Sequence, residues 1–198
     1  MSTGAPRERG SSVTGRRGKV VVNRAVSIDG FIFGPRYSRF WVGGRKVGDV
    51  VPWAETVETA SRTGAMLVGR NTSDVGEKME TEEAGSVDYP FDGRLFLLTH
   101  RPPDPPVEGL TVLSGDIRAA VETALAGANG KDLELLGADV AAQAFRAGLV
   151  DEVMVYVLPV VLGQGVPFSP AGSAMVNLEP IESRQSGEVT ILRFRVKK

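Results

Sequence analysis

The chain has 198 residues, of which 42% are apolar and 24% are charged, so it is long enough for one large domain and short for two. Its 23 lysines and arginines balance 24 aspartates and glutamates, which excludes a global attraction to nucleic acid or acidic membranes. The absence of cysteine excludes disulfides and thiolate catalysis, and a single histidine, His100, argues against a zinc site. We therefore expect no bound metal.

The first 18 residues differ in composition from the rest of the chain. They are rich in glycine, serine and arginine and have little to bury, which predicts a flexible tail before one domain over residues 19–198. Four arginines are too few to favour a nucleic-acid-binding arm. No apolar run reaches the roughly 20 residues of a membrane helix, and no signal peptide is evident. We expect a cytoplasmic protein without nucleic-acid or membrane partners.

Strand and helix patterns alternate along the domain. A β-branched run from Lys19 predicts a first strand that ends at Asp29-Gly30. The stretch that follows, up to Gly48, has no period and predicts a long loop over a site. Apolar spacing predicts a helix from Trp53 to Arg62. The remaining predicted elements are strands at 65–68, 94–100, 110–113 and 132–136, and helices at 117–126 and 139–147.

This alternation demands a mainly parallel sheet with helices on both faces, because parallel neighbours need crossover connections. After Asp151 the pattern changes to a long β-rich run that contains Pro159. Residues 177–185 and 189–196 flank the turn signal Ser186-Gly187. We predict an α/β fold in three layers, with a mostly parallel sheet and an antiparallel hairpin at the C-terminus.

Ligands of an open α/β sheet collect beyond the carboxyl ends of its strands, so the residues after each strand are candidates for a site. Arg70 and Arg101 follow two of the strands. Together they could bind a phosphate monoester, such as the adenosine 2′-phosphate of NADPH, with hydroxyl donors from Thr72 and Thr99. The alternative for each arginine is a solvated surface residue or ion pair.

Gly137 lies where a strand passes into a helix. Its missing side chain would allow a pyrophosphate to approach the free N–H groups at the start of that helix. Alternatively, Gly137 only makes a tight turn and Asp139 caps the helix. The carboxylate of Asp139 would repel a phosphate unless it is turned into that cap.

Four segments, in this order and spacing, resemble one known family. They are VSIDGFI, MLVGRNT, LLGADVAAQAFRAGLVDEV and LPVVLGQGVPF. The resemblance, from about Lys19 to Val196, is to the dihydrofolate reductase-like family typified by the RibD C-terminal domain, the reductase domain of bacterial riboflavin biosynthesis. It implies a dihydrofolate reductase-like fold. It also implies hydride transfer from NADPH to a C=N or C=O bond of a small heterocyclic or sugar-linked metabolite.

The resemblance also implies which residues hold the cofactor. Those at the adenosine phosphate end would be Gly69, Arg70, Asn71, Thr72, Thr99, His100 and Arg101. Those at the pyrophosphate would be Gly137, Ala138, Asp139 and Val140, and Ala25 would face the nicotinamide.

Asp29 matches the acidic residue of the family motif S-[LI]-D-G, which lies beside the substrate pocket. We hypothesise that it orients substrate or relays a proton, with a pKa raised by partial burial. Alternatively, it only supports the turn before Gly30. Tyr37, Phe40 and Trp41 could stack on a planar substrate, or they could pack the loop or fill a subunit interface.

Two other functions remain open at this point. Dihydrofolate reductase activity would need an acidic residue in the first long helix, which could be Glu55 or Glu58. A non-catalytic binding or dimerisation module would fit the departures from the family pattern at Leu136 and Asn71. The apolar run from Val153 to Leu162 is longer than one domain usually buries, so we expect a homodimer.

Overall fold

The computed structural model describes residues 17–34, 41–42, 45–46, 50–72, 89–169 and 173–198. The predicted tail lies almost wholly outside these ranges. Within them, no helix is long and apolar enough to cross a membrane. The strands are β1 (Val20–Ser27), β2 (Phe31–Phe33), β3 (Trp41–Val42), β4 (Arg45–Lys46), β5 (Thr63–Gly69), β6 (Arg94–Leu98), β7 (Leu110–Leu113), β8 (Asp132–Leu136), β9 (Glu152–Leu158), β10 (Val166–Pro167), β11 (Leu178–Ser186) and β12 (Val189–Val196). The helices are α1 (Trp53–Arg62), α2 (Ile117–Gly127) and α3 (Ala138–Arg146).

Eight of these strands form one sheet in the order β11-β12-β9-β1-β8-β5-β6-β7. The six strands from β9 to β7 run parallel, and β12 and β11 continue the sheet antiparallel. The predicted mixed sheet, with its C-terminal hairpin, is therefore confirmed.

Apolar side chains cover both faces of the sheet. On one face, Val22 and Leu135 pack with Val121 of α2 and Val140 of α3 in the main core. The second face carries a smaller buried cluster of Val50, Met154, Tyr156, Leu158, Val189 and Ile191. Helix α1 lies over this second face, where the Thr59 hydroxyl is 3.0 Å from the hydroxyl of Tyr156. Two layers of helices around one sheet give the expected three-layer architecture.

The sheet divides at its centre. Strand β1 pairs with β9 along seven residues, as far as Ser27↔Leu158. Its pairing with β8 ends at Val21↔Glu134, whereas β8 stays paired with β5 as far as Leu136. Because β1 and β8 no longer share a ladder beyond this point, a gap opens between their carboxyl halves.

The stretch after Gly30 was predicted to be a loop, and this prediction is wrong in part. Strand β2 pairs with β10, and β3 pairs with β4, both antiparallel. The two residues between β3 and β4 are both glycine, which is a hairpin turn signal that the sequence analysis did not use.

Candidate active site

Three predicted segments meet at one edge of the sheet. Strands β8, β5 and β6 are parallel neighbours, so their carboxyl ends lie side by side. The residues that leave these ends are Gly137, Gly69 and Thr99, each followed by its predicted partners. The structure thus brings together side chains that lie up to about 70 residues apart in sequence, as expected from strand order.

The two arginines of this edge are connected directly. The Arg70 guanidinium donates from Nη1 to the carbonyl oxygen of Arg101 at 2.8 Å. The buried hydroxyl of Thr99 accepts from the Arg101 N–H at 3.0 Å and donates to the Arg101 carbonyl at 3.2 Å. Thr99 therefore shapes the turn that carries Arg101. The side chains of Asn71, His100 and Arg101 are exposed at this edge and accessible to a ligand.

Gly137 packs closely against the end of β5. Its backbone has φ +99° and ψ +139°, a conformation that residues with a side chain rarely adopt. A Cβ atom at this position would lie 2.5 Å from the hydroxyl oxygen of Thr72. A Cβ on Gly69 would lie 3.0 Å from Val140. The absence of side chains at these two glycines lets the turns after β5 and β8 pack closely. Gly137 is therefore needed for packing as well as for the approach of a ligand.

Helix α3 begins at Ala138 with Gly137 as its N-cap, and no side chain in the described part of the chain caps it. The alternative in which Asp139 caps this helix is therefore wrong. Asp139 is exposed in the first turn, where its negative charge interacts favourably with the helix dipole. The uncapped first-turn N–H groups are potential donors to an anion, as Gly137 led us to expect.

Ala25 lies on β1 two residues before the strand ends, on the face that α1 covers. It is half-buried and packs against the smaller cluster that contains Tyr156 and Leu158. The position is next to the gap between β1 and β8. A contact of Ala25 with the nicotinamide stays a prediction.

Asp29 lies exposed in the turn after β1, and its carboxylate accepts hydrogen bonds from a distant loop. Its carboxylate accepts from the backbone N–H of Leu162 at 3.1 Å and of Gly163 at 2.6 Å. A hydrogen bond with the Ser27 side chain, together with these N–H groups, lowers the pKa of Asp29 to about 2. The expected raised pKa is wrong, because Asp29 is exposed and held by donors rather than buried. A role in catalysis stays a prediction.

The two acidic candidates for binding a pterin differ in their surroundings. Glu55 is buried, and both its carboxylate oxygens accept from Arg184 on β11, at 2.6 and 2.5 Å. The hydroxyl of Ser186 donates to Glu55 as well, at 2.8 Å. Glu58 is exposed and forms an ion pair with Arg62 at 3.4 Å. Glu55 fastens α1 to the C-terminal hairpin, so dihydrofolate reductase activity is not supported by these residues.

Sequence reasoning missed two charged residues in the central strands. The Nη2 atom of Arg24, on β1, donates to the backbone carbonyl of Leu135 at 2.6 Å. The Nη1 atom donates to the backbone carbonyl of the preceding residue, Asn23, also at 2.6 Å. Glu134 of β8 is buried, and burial raises its pKa to about 7 even though the charge of Arg24 opposes this shift. A charged residue inside a run of buried strand residues was the available signal for both.

Glu134 faces a small polar pocket at the opposite, amino-terminal edge of the sheet. The cavity has a volume of about 20 Å³, enough for one water molecule, and is lined by residues such as Glu152 and Arg193. Nearby, the buried side-chain oxygen of Asn23 has no hydrogen-bond partner among the described residues. The residues of this pocket are distinct from the predicted cofactor residues.

Some predictions cannot be compared with the structure. Tyr37, Phe40 and the side chain of Trp41 lie outside the described residues, so their role in substrate binding stays a prediction. Among the residues that are described, no group of three or more histidine, aspartate or glutamate side chains could hold a metal ion. The homodimer stays a prediction: β9 buries most of its apolar residues within the chain, whereas Val161, later in the same apolar run, is 69% exposed.

Comparison with solved structures shows the same fold in several reductases. A putative riboflavin biosynthesis protein from Shewanella sp. PV-4 has 19% identity and a TM-score of 0.68, covering 91% of this chain and 99% of that chain. The diaminohydroxyphosphoribosylaminopyrimidine deaminase/5-amino-6-(5-phosphoribosylamino)uracil reductase of Thermotoga maritima has 15% identity and a TM-score of 0.65, covering 91% and 57%. Enterococcus faecalis dihydrofolate reductase, complexed with NADP(H), has 15% identity and a TM-score of 0.57, covering 92% and 99%.

At these identities the structures establish the fold alone. No curated protein sequence matches the chain. The model of the RibD C-terminal domain, however, matches residues 18–192, which is most of the sequence. This match agrees with the four segments noted in the sequence and with the dihydrofolate reductase-like sheet. The chain therefore belongs to the RibD C-terminal domain family, whose members resemble the reductases of riboflavin biosynthesis.

Proposed function

We propose that this protein is an NADPH-dependent reductase that acts on a C=N or C=O bond of a small heterocyclic or sugar-linked metabolite. The observation that carries the proposal is the meeting of Arg70, Arg101 and the Gly137 turn at one edge of the sheet. Family membership and the fold shared with an NADP(H)-complexed reductase support it. NADPH would supply the hydride, and the chain would supply binding and orientation.

The chemistry of this edge fits the cofactor's two anionic groups. Arg70 and the exposed Arg101 provide guanidinium groups for a phosphate monoester, which is the feature that distinguishes NADPH from NADH. The start of α3 provides N–H donors and the positive end of a helix dipole for the diphosphate. The exposed carboxylate of Asp139, in the first turn of α3, would oppose the binding of this second group.

The substrate would lie beyond Ala25, on the side of the gap that α1 covers. Because Glu55 is bound by Arg184 and the family match is to the RibD C-terminal domain, the reductases of riboflavin biosynthesis are a better guide to the substrate than dihydrofolate reductase. The substrate named for the Thermotoga enzyme, 5-amino-6-(5-phosphoribosylamino)uracil, is therefore the first compound to test.

The test compares the binding of NADPH and NADH by isothermal titration calorimetry. We expect NADPH to bind roughly 10- to 100-fold more tightly, the value of one or two charge-assisted hydrogen bonds. Arg70→Ala should remove this preference and leave NADH affinity unchanged. Arg146→Ala, at the opposite end of α3, is the matched control and should change neither.

Oxidation of NADPH in the presence of the uracil compound, and not with dihydrofolate, would support the substrate class. Absence of binding to either nucleotide would overturn the proposal and favour the non-catalytic module. Equal affinity for NADPH and NADH would overturn the role assigned to the arginines.

A further inference from the structure

Arg24 bridges the gap in the middle of the sheet. Beyond Val21↔Glu134, strands β1 and β8 share no backbone ladder. The guanidinium of Arg24 crosses this gap and donates to the carbonyl of Leu135 at 2.6 Å. It therefore satisfies a carbonyl that a paired β1 strand would otherwise have satisfied.

The guanidinium of Arg24 donates its hydrogen bonds to neutral groups of the described residues. Within the described part of the chain, each hydrogen-bond partner of the Arg24 guanidinium is a backbone carbonyl, from Asn23, Leu135 or Gly137. Burial lowers the pKa of Arg24 to about 10, and the carboxylate of Glu134 opposes this shift without a hydrogen bond to it. Carbonyl dipoles compensate a half-buried charge only partly, so an anion beside Arg24 would stabilise it.

The guanidinium also lies next to the start of α3. Its Nη2 atom is 3.5 Å from the carbonyl oxygen of Gly137, the N-cap residue of that helix. The uncapped N–H groups of the first turn are a second source of positive potential at the same place. Two independent features, a side-chain cation and a helix start, thus point to one anionic ligand.

We propose that Arg24 is a binding residue for the diphosphate group of the dinucleotide, acting together with the Gly137 turn. This inference rests on the proposed function and adds to it a cationic side chain that sequence reasoning did not include. Arg24 would recognise the diphosphate, whereas Arg70 and Arg101 would recognise the 2′-phosphate. The guanidinium has several donors, so it can bind a phosphate oxygen while it keeps its bond to Leu135.

The test uses two ligands that differ in the group Arg24 would bind. NADPH contains both the diphosphate and the 2′-phosphate, whereas adenosine 2′-monophosphate (2′-AMP) contains only the latter. Arg24→Met keeps an unbranched apolar chain in place of the arginine's methylene groups and removes the charge. We expect it to weaken NADPH binding roughly 10- to 100-fold and to change the affinity for 2′-AMP by less than about twofold. Both affinities are measured by titration of the full chain.

Arg118→Met is the matched control, because Arg118 also donates to a backbone carbonyl, that of Ala147 at the far end of α3. It should change neither affinity. Arg24→Lys keeps the charge and loses the planar fork, so it should bind NADPH with an intermediate affinity. This variant, and the dependence of NADPH affinity on salt concentration, keep the proposal testable if Arg24→Met does not fold.

The outcomes separate the proposal from the function on which it rests. Unchanged NADPH affinity in Arg24→Met would show that Arg24 only fills the gap. Equal weakening of NADPH and 2′-AMP binding would show that its removal distorts the whole edge. Either result would overturn the role of Arg24 and leave the reductase proposal standing. If the unaltered protein binds 2′-AMP but not NADPH, the proposed function itself fails.

Discussion

Gly137 and Thr72 approach so closely that a Cβ atom on Gly137 would lie 2.5 Å from the threonine hydroxyl oxygen. The contact joins the turn after β8 to the residues after β5, which are neighbours in the sheet but about 65 residues apart in sequence. Gly137 is therefore required for two reasons, its backbone conformation and the space next to it. Both reasons act on the turn that would hold the cofactor's diphosphate.

Gly137→Ala should accordingly destabilise the protein and weaken NADPH binding. The backbone strain of a side chain at φ +99° and the overlap with Thr72 together cost about 2 to 4 kcal/mol in the free energy of unfolding. Urea denaturation measures this change, and calorimetry measures the loss of NADPH affinity.

Gly109→Ala is the control for the backbone alone. Gly109 has φ +77°, and a Cβ there would meet nothing within 4 Å, so only about 1 kcal/mol should be lost and NADPH affinity should not change. Equal losses of stability in the two variants would mean that the contact with Thr72 contributes nothing.

Much of the architecture could be predicted because its signals are local. The period of the apolar residues predicted α1 with its observed bounds. It predicted the bounds of α2 and α3 to within one residue. The rule that parallel strands end at one edge then predicted that Arg70, Arg101 and Gly137 would meet. Only strand order was needed for that inference, since the rule does not depend on the exact register.

The missed features depend on contacts between distant residues. The charge of Arg24 inside a strand signals an unusual position but not its role, because the gap it crosses arises from the register of β1 against β8. The pKa of Asp29 is lowered first by the side chain of Ser27, two residues away, and then by two N–H donors more than 130 residues away, at Leu162 and Gly163. The sequence shows only a common Asp-Gly turn and not these distant donors. A raised pKa was expected from partial burial, whereas Asp29 is exposed.

Above about pH 4, Asp29 should stay ionised and stabilise the loop that contains Leu162 and Gly163. Its folded-state pKa of about 2 lies below the ordinary value of 3.8, so its stabilising effect is present above 3.8 and is lost as the pH falls through 2. Asp29→Asn should lower the melting temperature by a constant amount from pH 8 to pH 5, with the difference shrinking only at lower pH. It should also speed hydrogen exchange of the Leu162 and Gly163 amides.

Asp92→Asn is a suitable control, because Asp92 is exposed and has no described hydrogen bond. It should leave both measurements unchanged. If Asp29 also takes part in the reaction, Asp29→Asn will reduce turnover while NADPH affinity stays nearly the same. A melting-temperature difference that changes near neutral pH would contradict the lowered pKa.

The ion pair of Glu55 and Arg184 should stabilise the fold and have no part in binding a pterin. Glu55→Gln removes the carboxylate that Arg184 binds through two hydrogen bonds at the contact between α1 and the hairpin. The free energy of unfolding should therefore fall by about 2 kcal/mol. A double-mutant cycle with Arg184→Gln measures the coupling. The exposed pair Glu58 and Arg62 is the control, with an expected coupling below about 0.5 kcal/mol. Similar couplings for the two pairs would contradict the structural role.

Glu134 should make the stability of the protein decrease as the pH rises. Burial raises its folded-state pKa to about 7 from an ordinary value of 4.5, and both Arg24 and the hydroxyl of Tyr89, 3.4 Å away, oppose this shift. Its favourable contribution is therefore fully present below pH 4.5 and is lost as the pH rises through 7. The full change is on the order of 3 kcal/mol.

Glu134→Gln keeps the shape of the side chain and cannot ionise, so it should remove this dependence. The free energy of unfolding of the variant minus that of the unaltered protein should be larger at pH 8 than at pH 5. Urea denaturation of both proteins at each pH measures this difference. Glu122→Gln, on the exposed face of α2, should show no such trend. If the difference between Glu134→Gln and the unaltered protein is the same at both pH values, Glu134 ionises normally, and water must reach it through the adjoining pocket.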